Sequence, residues 1–341
     1  MQNYNNSLRY ANKKAENFVL KIQLHFFLDS LQKMRIFAKY NNIQQKHRIM
    51  GFWNALFGGS QQTPEEEKQE QEAKQFDLLK YDGVKALKMG QPEYAVRCFT
   101  EALKLKEDLE VHDYLSQAFL QSGNIEEAMT ELRTLANGEP ENAQIQIRMA
   151  QVAYLLEDYA TMSEACGQAM KVEPENAQPY FYNAQARQGQ QDMVGAIAML
   201  TKAIALRDDY ANAYLLRGQT LLKMGDTESA DDDAEWLLQH TEDHEDVLLL
   251  KARIEAARNH SEEAIKMYDK VVEVNPFCLE AFRERGQLKF DMGDKAGAEQ
   301  DMQTVLELNP QQLADVNGEY SAEGIEQRVR RAYSAINPLG I

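Results

Sequence analysis

From Phe76 to Gln312 apolar residues recur with a helical period, and the whole pattern restarts about every 34 residues. Small side chains mark each restart. In the first helix of successive units they are Gly83, Ser116, Ala150, Ala184, Gly218, Ala252 and Gly286. In the second helix they are Ala95, Ala128, Met162, Ala196, Ala230, Ala264 and Ala298, with Met162 the one departure. Helices that cross closely need small residues at the crossing. Gly90, Gly123, Gly225 and Gly293 mark the turn inside a unit. Pro140, Pro174, Pro276 and Pro310 end four units, because proline cannot continue a helix, and Glu107, Asp208 and Glu242 hold that slot in the others. A period of this length predicts stacked helix pairs that bury their apolar faces only against their neighbours. The units run 76–108, 109–142, 143–176, 177–210, 211–244, 245–278 and 279–312.

The series Gly286, Gly293-Asp294, Ala298 and Pro310, with its six earlier counterparts, resembles the tetratricopeptide repeat family over roughly 70% of the chain. The resemblance implies an all-α solenoid of about seven helix pairs wound as a right-handed superhelix. It also implies that the first helices line a concave groove where peptides or protein segments are held. Some relatives clamp acidic C-terminal tails with Lys and Asn side chains. The corresponding residues here, Lys80, Val84, Tyr114, Gln144 and Arg148, match that clamp at two of five positions, so it is expected to be absent.

The ends are different sequence. Residues 1–49 carry nine basic and two acidic side chains, net +7, which leaves −24 for the rest of a chain of −17. Their most apolar stretch, Phe18 to Leu28, is too short and polar to span a bilayer. The segment is expected to be an unpacked extension upstream of a true start at Met50; a basic amphipathic helix on a membrane surface is the alternative. Met50 to Gly59 is an apolar leader that could dock on the first repeat or on a partner. Thr63-Pro64-Glu65-Glu66 then starts a helix, with a capping Thr, a Pro at the first position and a Glu that closes a capping box. The Glu/Gln/Lys-rich run to Gln75 completes a 50–75 lead-in that serves as a spacer. After Gln312 the period stops, but Ile325, Val329, Ala332, Tyr333 and Ile336 keep helical spacing. They predict a helix in 313–341 that caps the apolar flank of the last repeat.

Composition narrows the function. A net charge of −17 argues against nucleic acid, whose phosphates need clustered Lys and Arg. Only Cys98, Cys166 and Cys278 occur, far apart, which fits a reducing, cytoplasmic setting better than a disulfide framework. His240 and His244 would suit zinc only on one continuous helix, and they fall at the joint between two units. Asp231-Asp232-Asp233 with Glu235 lacks the alternation and the Gly of a calcium loop, and is expected to be a solvated helix face. His112 and His260 have no Cys or Ser at a suggestive spacing. No catalytic residue, metal or cofactor is expected.

The first helices carry the candidate binding residues. Ile147, Phe181, Leu215 and Leu249 form an apolar stripe through the central units. Four residues later on the same face stand Gln151, Gln185, Gln219, Arg253 and Gln287, and a turn beyond them Tyr154, Leu222 and Phe290. A Gln amide both donates and accepts, so a ladder of them can pair with the backbone of an extended peptide. Simple packing against adjacent helices is the competing account of these positions. The expected function is a non-catalytic scaffold that binds a protein segment in this groove. The alternative is an assembly subunit that self-associates through repeat edges or through Phe52, Trp53, Leu56 and Phe57.

Overall fold

The computed structural model describes residues 63–241 and 244–309. Residues 1–49, the leader, Pro310 and the capping helix expected in 313–341 lie outside them. Within the described residues the chain is helical throughout and has no strand. Seven pairs follow one another: α1 (Pro64–Lys88) with α2 (Pro92–Leu105), α3 (Leu109–Ser122) with α4 (Ile125–Gly138), α5 (Ala143–Leu155) with α6 (Tyr159–Val172), α7 (Ala177–Gly189) with α8 (Met193–Leu206), α9 (Ala211–Lys223) with α10 (Thr227–His240), α11 (Glu245–Ala257) with α12 (Ser261–Val274), and α13 (Leu279–Asp291) with α14 (Lys295–Leu308). Each helix packs chiefly on its pair mate and on the next pair. The result is an all-α solenoid of repeats.

The crossings explain the small residues. Ser116, Ala150, Ala184 and Ala252 on the first helices, and every alanine of the second-helix series, are fully buried. At Gly83 a Cβ would stand 2.5 Å from the Phe99 ring, so only glycine lets α1 and α2 close. Met162 is fully buried as well; it packs among Met129, Leu132 and Met149 and fills space that alanine leaves elsewhere.

The turns inside the pairs share one left-handed residue. Gly90, Gly123, Gly225 and Gly293 occupy it in four pairs, and Glu157, Gln191 and Asn259 hold it in the third, fourth and sixth at φ of 54°, 64° and 63°. In four pairs the following helix is then capped by an aspartate: Asp158, Asp192, Asp226 and Asp294 accept from the backbone N–H of Thr161, Gly195, Ser229 and Gly297.

α1 is the exception in length. It has 25 residues where the other first helices have 13 or 14. The capping box forms as the sequence predicts, with Thr63 and Glu66 bonded reciprocally. The lead-in to Gln75 is continuous with α1 and almost wholly exposed, tied along its surface by Lys68–Glu72 and Lys74–Glu70 pairs.

The chemistry between pairs changes along the stack. The residue before the small position is buried Leu115 in the second pair and buried Met149 in the third, then Asn183, Arg217, Lys251 and Arg285. Arg217 reaches back to Thr201 of α8 and forks onto Asp233 of its own pair at 2.9 and 2.6 Å. Arg285 repeats both bonds two repeats later, to Asp269 of α12 and Asp301 of α14. Lys251 and Arg258 converge on Asp231 of the preceding pair. The aspartate run is therefore not the solvated face expected from sequence. Asp231 and Asp233 are 9% and 2% exposed because basic side chains from facing helices neutralise them; only Asp232 points to solvent.

Candidate functional site

Successive first helices meet, α1 with α3, α5 with α7 and α9 with α11, whereas no two successive second helices make a comparable approach. The first helices therefore lie on the inner side of the curve. The bonds that tie this side run from one first helix to the next. Gln151 Nε2 donates to the Tyr182 hydroxyl at 2.6 Å, Gln188 Nε2 to Thr220 Oγ1 at 2.5 Å, and Arg253 forks onto Glu284.

On α5, α7 and α9 the second, fifth, ninth and twelfth residues fall on one helical side, which turns to this inner face except at Ile147, where a neighbouring pair closes over it. They are Gln144, Ile147, Gln151 and Tyr154; then Gln178, Phe181, Gln185 and Gln188; then Asn212, Leu215, Gln219 and Leu222. None is charged. The charges at either end of this strip are paired with one another: Lys80 with Asp108 and Glu110, Arg148 with Asp113, and Arg253 with Glu284. Lys80 and Arg148, the two matches to an acidic-tail clamp, are thus already occupied.

The structure divides the predicted residues. Ile147 and Leu249 are 3% and 8% exposed and do not face a groove. Ile147 packs on Ala143, Ala169 and Tyr182, and Leu249 on Ala252, Tyr268 and Ala281, because each sits where consecutive pairs close. That corrects their assignment as contact residues. Gln151 is held by Tyr182, whose burial raises its hydroxyl pKa and keeps it a neutral acceptor. Arg253 is locked to Glu284, and Gln287 Nε2 donates to Asp291 of its own helix. Those three rungs are closed.

Other rungs are open. Gln185 and Gln219 are half-buried, and among the described residues neither amide has a hydrogen-bond partner. The reason lies in register. The residue 31 positions after Gln151 is Tyr182, but the same step from Gln185 and Gln219 lands on Leu216 and Leu250, which offer no acceptor. Phe181 is half-buried, with ring contacts to Tyr182 and Tyr210 at 5.6 and 5.1 Å. Leu215 and Leu222 are half-buried against Ala230 and Leu250. Tyr154 is 39% exposed, beside exposed Leu155. Phe290 is half-buried at the far end. The Gln–Tyr tie was missed in the sequence, although Tyr182 is legible as the sole aromatic hydroxyl one register step from a glutamine of the ladder.

Elsewhere α10 ends at His240 and α11 begins at Glu245, so His240 and His244 lie on separate elements. His240 stacks on Trp236, and His244 caps α11. Among the described residues no group of three His, Cys, Asp or Glu side chains could hold a metal ion, and no helix is long and apolar enough to cross a membrane.

A family model described as tetratricopeptide repeat matches residues 249–312. Over that span the chain carries tetratricopeptide repeats. None of the curated proteins compared matches it. Among solved structures, a tetratricopeptide repeat protein from Parabacteroides merdae superposes with a TM-score of 0.59 at 13% identity, over 76% of this chain and 99% of that one. PilW, a type IV pilus biogenesis factor, superposes at 0.55 and 15% identity, over 65% and 98%. At such identities the likeness concerns the fold, and it places the helix pairs of this chain in a common architecture.

Proposed function

We propose that this tetratricopeptide-repeat protein is a non-catalytic cytoplasmic scaffold whose inner face, from α5 to α9, binds an uncharged, extended protein segment. The observation that carries the reading is the open pair Gln185 and Gln219, set in an uncharged strip on an otherwise acidic chain. A half-buried amide without a partner can take a backbone N–H or C=O, and a row of them sets the register of a peptide. Phe181, Leu215, Leu222 and Tyr154 flank that row and would cover apolar side chains of the ligand. An acidic ligand would meet no free cation there, and a basic one no free carboxylate. The cysteines, free and buried at Cys98, Cys166 and Cys278, accord with a reducing compartment.

The test is a peptide array of matched uncharged, acidic and basic sequences, probed with the wild-type chain and with Gln185→Glu/Gln219→Glu. Wild type should favour the uncharged set. The double variant should lose about tenfold in affinity while keeping its melting temperature, because both side chains reach the groove surface. Binding that ignores both the charge of the peptide and the substitution would remove the groove as the site.

A further inference from the structure

Resting on that groove reading, we infer that its occupant is the apolar leader of a second copy of this chain. The leader, Gly51-Phe52-Trp53-Asn54-Ala55-Leu56-Phe57-Gly58, is uncharged, aromatic and bracketed by glycines. It has the composition that the strip around Gln185 and Gln219 would accept: bulky apolar side chains for the flanks, and a backbone free of charged neighbours for the amides.

The position of the leader decides which copy it can reach. Gly83 is the twentieth residue of α1, whereas the equivalent Ala184 is the eighth of α7, so α1 carries twelve extra residues at its start. They form a helical arm of about 18 Å. It is stiffened by the capping box and its surface ion pairs, and it carries Pro64 out past the start of the other first helices. From Phe57 to Pro64 the chain can span at most about 24 Å. Returning along the arm and crossing two first helices, at about 10 Å each, requires about 27 Å even to reach α5. The Phe57 backbone therefore falls short of its own α5, whereas another copy seats all four apolar leader residues together with no such limit.

Electrostatics favours the same docking. Two chains of net charge −17 repel, but that repulsion is screened beyond about 8 Å at physiological salt. The leader and the central strip are both uncharged, so they can meet at short range without opposing carboxylates. Because leader and groove are different surfaces, the contact is head-to-tail, and it closes as a reciprocal exchange of leaders or a ring, or continues as an open chain.

The experiment uses three full-length proteins: wild type, a leader variant (Trp53→Ser/Phe57→Ser) and a groove variant (Gln185→Glu/Gln219→Glu). Light scattering over a concentration series should show wild type growing beyond the monomer and each variant alone remaining monomeric. Mixing the two variants should give one-to-one pairs and nothing larger, because only one intact leader and one intact groove remain between them. In a Trp236→Phe background Trp53 is the remaining tryptophan, and its emission should shift to the blue as wild-type assembly proceeds. A monomeric wild type at every concentration overturns the inference, as does assembly that survives either variant. If the chain is monomeric while uncharged peptides still bind, only the identity of the occupant falls. If peptides fail as well, the groove reading falls with it.

Discussion

His112 shows how far a side chain's role can lie from its sequence neighbours. It is 9% exposed, with Nδ1 on Glu131 of α4 and Nε2 on Glu107 of the preceding loop. Burial alone would lower its pKa, but the hydrogen bonds and charges of Glu131 and Glu107 outweigh that and raise it above the usual imidazole value. The folded protein therefore holds the proton more tightly than the unfolded chain. This contribution is fully present below the unfolded pKa of about 6.5 and is lost as pH rises through the higher folded value. His112→Gln should cost about 2 kcal/mol near pH 6 and clearly less near pH 9, as measured by urea unfolding at the two pH values. Equal losses at both would mean that His112 acts by packing alone. The sequence showed a histidine without a Cys or Ser partner; it could not show two glutamates brought together from 5 residues before it and 19 after.

At the scale of the helix, the period was legible and the inter-pair chemistry was not. Small residues, turn glycines and terminal prolines predict helix pairs because each is a local requirement of backbone or crossing. What faces Asp231 depends on the next pair. Lys251 and Arg258 come from α11 and its end, 20 and 27 residues away, and they hold the Asp231 carboxyl below its ordinary pKa against a burial effect that would raise it. The same blindness placed Ile147 and Leu249 in the groove: periodicity gives a helical face, but not the depth at which a neighbouring helix covers it. Asp231→Asn leaves Arg258 facing a neutral amide across the joint between the fifth and sixth pairs, while Lys251 keeps Glu255. Breaking a buried pair from one side costs about 3–5 kcal/mol. The expected result is loss of protection in α11 to α14 before α1 to α8, read by hydrogen exchange. Uniform loss along the chain would show that this joint does not couple the two parts.

The whole molecule is a one-dimensional stack in which each pair answers chiefly to its neighbours, so local features carry local consequences. The left-handed turn residue is the clearest case. Four pairs use glycine there, but Glu157 and Gln191 hold the position in the third and fourth pairs, which supply α5 and α7 to the uncharged strip. An L-residue in that conformation gives up about 1 kcal/mol, so these two turns carry backbone strain that the glycine turns do not. Glu157→Gly with Gln191→Gly should relieve it and raise the melting temperature of the whole stack, read by circular dichroism; an unchanged or lower value would show that the two turns are not strained. The stretch offered to a guest is thus kept under tension, and easing those two corners would give a more heat-resistant protein with a slacker cradle.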